Sequence, residues 1–278
     1  MKKIFLVFAL LFGANLIAQK ANYDQVDVYK KTDSRDLNIF FVYPDNWEER
    51  NDWPLLVFYH GGGWVGGNIK QFASYARYFA EKGMVCALVE YRVKKVDGTN
   101  PITALMDAKS AMRYLKANKT KYHINPERVV ASGGSAGGHL AAAVELVEGY
   151  NDPKDDISID TKVSALVLFN PVVDNGPNGY GYKRLGKKYK KFSPFHQDKK
   201  GMAVVLIMVG TRDKHIPVKT MKDFCSDIEN AGGMCKLVLY EGAKHGFFNE
   251  DRQDGKYFKL TRDEMEAFLR KRNFITRK

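Results

Sequence analysis

Ser135 lies in Gly133-Gly134-Ser135-Ala136-Gly137, a G-x-S-x-G pentapeptide. The residues before it, Val129-Val130-Ala131-Ser132, are strand-like, and those after it, Ala136 to Val147, are Ala/Leu-rich and read as helix. A serine on such a strand-to-helix turn has its hydroxyl pushed out over a sheet, and small neighbours relieve the crowding. A hydroxyl is a weak nucleophile unless a base takes its proton. The chemistry this implies is acyl transfer, and it requires a base, an acid to orient that base, and N–H donors for an oxyanion.

Asp213 and His245 follow Ser135 in the order that suits such a site. Among six histidines, His60 belongs to a glycine loop, His139 to the helix after Ser135, and His123 and His196 to polar connections. His215 is the rival base, but it shares the acid's own loop. Asp174, after an earlier strand, is the rival acid. His60-Gly61-Gly62-Gly63-Trp64 supplies the donors: consecutive glycines let backbone N–H groups face a site, here Gly62 and Gly63 together with Ala136. A phosphate loop is excluded because no Gly-Lys-Ser/Thr follows. Trp64 either packs structurally or forms a wall for a sugar or aryl group, and Tyr180 and Tyr182 are further candidates for substrate contact.

These residues need a scaffold that brings them to one rim. Buried strands are expected at Leu55–Tyr59, Met84–Tyr91, Val163–Phe169, Val204–Val209 and Lys236–Tyr240, with helices between them. That alternation implies an α/β fold, a mostly parallel sheet with helices on both faces. His60, Ser135, Asp213 and His245 each fall just past a strand end, where such sheets carry their sites. The segment from about 172 to 200 is expected to form a small lid-like insertion.

The chain has 278 residues and a formal charge of +12. Met1-Lys2-Lys3, the apolar run Ile4 to Phe12 and a small residue at Ala18 describe a signal peptide, 1–18, and a secreted or periplasmic product. The run is too short to span a membrane comfortably. Residues 19–278 suit one catalytic domain. Three cysteines are too few for a disulfide framework, though Cys225 and Cys235 could close a helix-to-strand turn. Much of the positive charge crowds Lys183, Arg184, Lys187, Lys188, Lys190 and Lys191. A solvated basic loop is the default reading, and contact with an anionic polysaccharide or cell envelope the sharper one. No nucleic-acid module, metal-ligand spacing or cofactor motif accompanies it.

The chain resembles α/β-hydrolase fold esterases related to hormone-sensitive lipase, and most closely the compact secreted bacterial acetyl and feruloyl-type carbohydrate esterases. The resemblance rests on His60-Gly61-Gly62-Gly63-Trp64, Glu90-Tyr91-Arg92, Gly133 to Leu140, Gly210-Thr211-Arg212-Asp213 with Ile216-Pro217, and His245-Gly246-Phe247. It implies a cofactor-free serine esterase with the triad Ser135, Asp213 and His245. Two features depart from the hormone-sensitive-lipase pattern. Tyr91-Arg92 continues as Val93-Lys94-Lys95, and no long helical cap precedes Leu55. Both favour an open site for a short acyl group on a bulky carbohydrate or aryl alcohol. A peptidase or amidase, a lipase, and a non-catalytic binding protein on the same scaffold are the competing functions.

Overall fold

The structure, a computed structural model, describes residues 23–275, so the expected signal peptide lies outside the described residues. Eight strands form one sheet: β1 (Gln25–Lys31), β2 (Asp36–Val42), β3 (Trp53–Tyr59), β4 (Val85–Val89), β5 (Ile124–Gly134), β6 (Ala165–Phe169), β7 (Val204–Gly210) and β8 (Cys235–Tyr240). Their order is β1-β2-β4-β3-β5-β6-β7-β8. Strand β2 runs antiparallel to both its neighbours, and every pairing from β4 to β8 is parallel.

The central strands read as continuous apolar runs because both faces are covered. Side chains alternate along β3: Leu55, Val57 and Tyr59 enter one core, Leu56 and Phe58 the other. The first core packs α2 (Pro101–Ala117), α3 (Ala136–Leu146) and α4 (Val218–Asn230) against the sheet. The second packs α1 (Ala73–Ala80) and α5 (Lys256–Lys271) on the opposite face. Helix α2 begins at Pro101 for a physical reason: Asn100 accepts from the Ile102 and Thr103 N–H groups, and Pro101 occupies the first turn. Strand β5 is longer than the sequence pattern indicated, since Ile124 pairs with Trp53 before a register shift.

Between β6 and β7 the chain makes single-turn helices at Tyr182–Leu185, Tyr189–Phe192 and, of the tighter kind, Pro194–His196. Helix α4 and β8 are joined by a Cys225–Cys235 disulfide, with Cα atoms 5.3 Å apart. Among the described residues no helix is long and apolar enough to cross a membrane.

Candidate active site

Ser135 has φ 54° and ψ −116°, a conformation that only a tightly constrained turn holds. Phe169 and Val172 clamp it. The Ser135 N–H donates to the Phe169 carbonyl at 2.9 Å, and its own carbonyl accepts from Val172 at 3.1 Å. The turn crosses the backbone of the glycine loop so closely that a Cβ at Gly137 would lie 2.0 Å from the Tyr59 carbonyl. This is why the pentapeptide needs glycine there.

The hydroxyl projects toward His245. Ser135 Oγ lies 2.9 Å from His245 Nε2, and His245 Nδ1 lies 2.7 Å from Asp213 Oδ2. The Nδ1–H donates to the carboxylate and so stays on Nδ1, which leaves Nε2 free to accept from the hydroxyl. The Asp213 side chain is fully buried, and its other oxygen accepts from the His215 and Ile216 N–H groups at 2.8 and 3.0 Å. Both oxygens of the buried charge are therefore satisfied. The rival acid Asp174 instead accepts from the Gly176 N–H and faces His196. The rival base His215 stands edge-on to His245 with ring centres 5.0 Å apart.

The glycine loop lies over Ser135. Gly62 and Gly63 have φ of 120° and 64°, and among the described residues their N–H groups find no acceptor. The Ala136 N–H is in the first turn of α3, where helical N–H groups lack partners. Gly62 and Gly63 line the same cavity as Ser135, and Ala136 directly follows it; unengaged N–H donors are what a developing oxyanion requires. His60 holds the loop from beneath: its ring stacks on Tyr91 at 4.2 Å, and the Tyr91 hydroxyl donates to the His60 carbonyl at 2.6 Å. Burial pushes the His60 imidazole down to about 4, so it is neutral at working pH.

Side chains without a motif complete the frame. The Gly61 N–H donates to Gln71 Oε1, Gln71 Nε2 to Asn249 Oδ1, and Asn249 Nδ2 to the Gly246 carbonyl, at 2.6, 2.9 and 2.8 Å. This chain of amides ties the glycine loop to the turn that carries His245. Asn170, fully buried at the end of β6 with φ 34°, accepts from the Gly246 N–H at 3.1 Å. Arg184 donates to the Gly63 carbonyl and covers the Trp64 ring at 5.2 Å.

A cavity of about 280 Å³ opens onto Ser135 between the glycine loop, Asn170, Tyr180, His215, His245 and the 246–252 turn. Of the three residues considered for substrate contact, Tyr180 lines this cavity and Trp64 and Tyr182 do not. Trp64 is 1% exposed; its positive φ of 57° sends the ring inward against His139, Tyr180 and Phe192. Tyr182 turns to Tyr189, with ring centres 5.6 Å apart. Composition alone could have flagged only Asn170, from Asn170-Pro171 at a strand end.

With this geometry in place, the relatives are informative. Residues 41–178 match the BD-FAE family model, and 158–272 that of the dienelactone hydrolase family. Esterase 2 of Thermogutta terrifontis has 36% sequence identity and a TM-score of 0.87, covering 91% of this chain and 96% of that one. The chain belongs to the esterases of the α/β-hydrolase fold. The same Thermogutta esterase has also been solved phosphorylated by paraoxon, again at 36% identity and a TM-score of 0.87, covering 91% of this chain and 96% of that one. Esterase LipC of Mycobacterium tuberculosis is 26% identical over 78% of this chain and 58% of its own length. An acetylxylan esterase of Xylanibacter ruminicola is 23% identical over 88% of this chain and 50% of its own. The chain thus spans about half the length of these curated relatives.

Proposed function

We propose that the protein is a secreted or periplasmic serine esterase that removes acetyl or another small acyl group from a carbohydrate or aryl alcohol. The observation that carries the reading is the unbroken relay Ser135–His245–Asp213, with contacts of 2.9 and 2.7 Å. In the first half-reaction Ser135 Oγ attacks the ester carbonyl carbon while its proton passes to His245 Nε2. The oxyanion is held by the Gly62, Gly63 and Ala136 N–H groups. Collapse breaks the bond to the alcohol oxygen, which takes the proton from His245. A water molecule then repeats the sequence on the acyl-Ser135 ester and releases the acid. Asp213 fixes the imidazole tautomer and stabilises the imidazolium.

The small cavity favours a short acyl group, as do the propionate- and butyrate-bound structures of the Thermogutta esterase. The similarity to an acetylxylan esterase favours a carbohydrate alcohol. Export is supported by the basic-then-apolar start of the chain and by the Cys225–Cys235 bond, which persists best in an oxidising compartment.

Labelling with a fluorophosphonate probe tests the reading. Wild-type protein is expected to form one adduct at Ser135, and Ser135→Ala to form none while losing hydrolysis of a short-chain aryl acetate. Retained hydrolysis in that variant would overturn the assignment.

A further inference from the structure

The cavity over Ser135 does not end at the glycine loop. It shares Gly61, Gly62, Gln71, Asn249 and Arg252 with a second cleft of about 580 Å³, which runs outward past Asn68 and Lys70. Among the residues lining the inner cavity, Arg252 is the one side chain with a permanent charge. Among the described residues its guanidinium has no hydrogen-bond or ion-pair partner. Its Nε lies 3.9 Å from where a Gly246 Cβ would stand, beside the Asn249 amide at 3.1 Å. Both groups therefore flank the residue next to His245. Glu250, in the outer cleft, is already engaged by the Ser74 hydroxyl, and Asp251 lines only the outer arm.

We infer that this arm binds the alcohol portion of the substrate, that the alcohol is a glycan bearing a carboxylate, and that Arg252 reads that carboxylate. The inference rests on the esterase reading above. The proton on His245 goes to the departing alkoxide, so the alcohol lies on the side of His245 and Gly246, where Arg252 and Asn249 stand. The outer arm has about twice the volume of the inner cavity, which suits a sugar chain there and a small acyl group within. The Asn68, Gln71 and Asn249 amides offer donors and acceptors for sugar hydroxyls. A planar guanidinium matches a carboxylate with two parallel N–H donors. The carboxylate-reading group is thus a single arginine at the mouth of the site, distinct from the lysines of 183–191.

The wild-type protein, titrated calorimetrically with an unacylated galacturonate trimer and with neutral xylotriose, tests this. The trimer is expected to bind more tightly than xylotriose, and increasingly so as salt is lowered. Arg252→Gln is expected to weaken the trimer by about tenfold and to leave xylotriose as it was. A Lys187→Gln, Lys188→Gln variant is expected to bind the trimer as wild type does. Absence of trimer binding, an equal loss for both sugars, or a loss in the lysine variant in place of Arg252→Gln would overturn the inference. Fluorophosphonate labelling of the same preparation separates the two failures. A labelled Ser135 without trimer binding leaves the esterase reading standing, whereas an unlabelled Ser135 removes it.

Discussion

Arg184 donates from its guanidinium to the carbonyl of Gly63, 121 residues away, and so fastens the single-turn helix Tyr182–Leu185 to the glycine loop over Ser135. The same guanidinium lies 5.2 Å from the Trp64 ring centre and 5.4 Å from that of Tyr180. One side chain thus fixes the peptide that follows a proposed oxyanion donor, the buried tryptophan beneath it and a tyrosine of the cavity wall.

Loss of this clamp is expected to loosen the Gly63 N–H without removing it. Arg184→Gln should lower kcat on a short aryl ester by roughly 10- to 100-fold, less than the loss of a whole oxyanion donor. KM should move little, because the ground-state carbonyl leans less on these donors. Steady-state kinetics measure both, and wild-type kcat in this variant would show that the loop is held without Arg184.

Asp213 and Asp174 make opposite predictions. Asp213→Asn should reduce kcat by about 10³–10⁴-fold, since an amide in that place favours the wrong imidazole tautomer. Asp174→Asn should leave kcat within a few-fold, because that carboxylate accepts from Gly176 at 2.7 Å and does not reach His245. Parallel kinetics of the two variants decide it, and the reverse ranking would transfer the acid to β6.

Acid should destabilise the fold through two histidines. Burial holds His60 at about 4 and His139 at about 3, against 6.5 for an exposed imidazole. His139 stacks on Phe192 at 4.2 Å and is fully buried. The unfolded chain binds both protons near pH 6.5, whereas the folded chain resists them until far lower pH. Their contribution is therefore whole above pH 6.5 and is lost as pH falls toward 4 and then 3. At about 1.36 kcal/mol per pKa unit, that is about 3 kcal/mol for His60 and about 5 kcal/mol for His139 over their full ranges. Denaturant midpoints at pH 7, 5 and 4 should fall in that order, and a flat series would contradict the burial argument.

Reduction of Cys225–Cys235 should cost roughly 2–3 kcal/mol, the closure entropy of a short loop. The bond spans 10 residues. Cys86 is buried in β4, its thiol pushed up by burial, so it does not compete for the reagent. Chemical denaturation with and without reductant measures the difference, and identical midpoints would show that the bond constrains nothing.

The legibility of the site divides along physical lines. Ser135, Asp213 and His245 could be found because each lies just past a strand end, and the sheet brings strand ends to one rim. Gly62 and Gly63 could be found because their backbone torsions exclude most other residues. The direction of Trp64 could not, since it depends on a positive φ that nothing in Gly63-Trp64-Val65 announces. Arg184 was hidden among five lysines, and only the fold distinguishes the cation that reaches the Gly63 carbonyl and the Trp64 ring. Gln71 and Asn249 meet across 178 residues, a pairing with no local periodicity to betray it.

Strand β8 is the edge of the sheet, and much of it is only half-buried. His245 follows that strand, while Ser135 follows β5 in the interior. The two halves of the relay are therefore anchored in parts of unequal tenacity. Fraying at an edge needs less free energy than global unfolding. On this argument turnover is expected to fail on warming before the sheet interior unfolds, with the base leaving its place while the core stays intact.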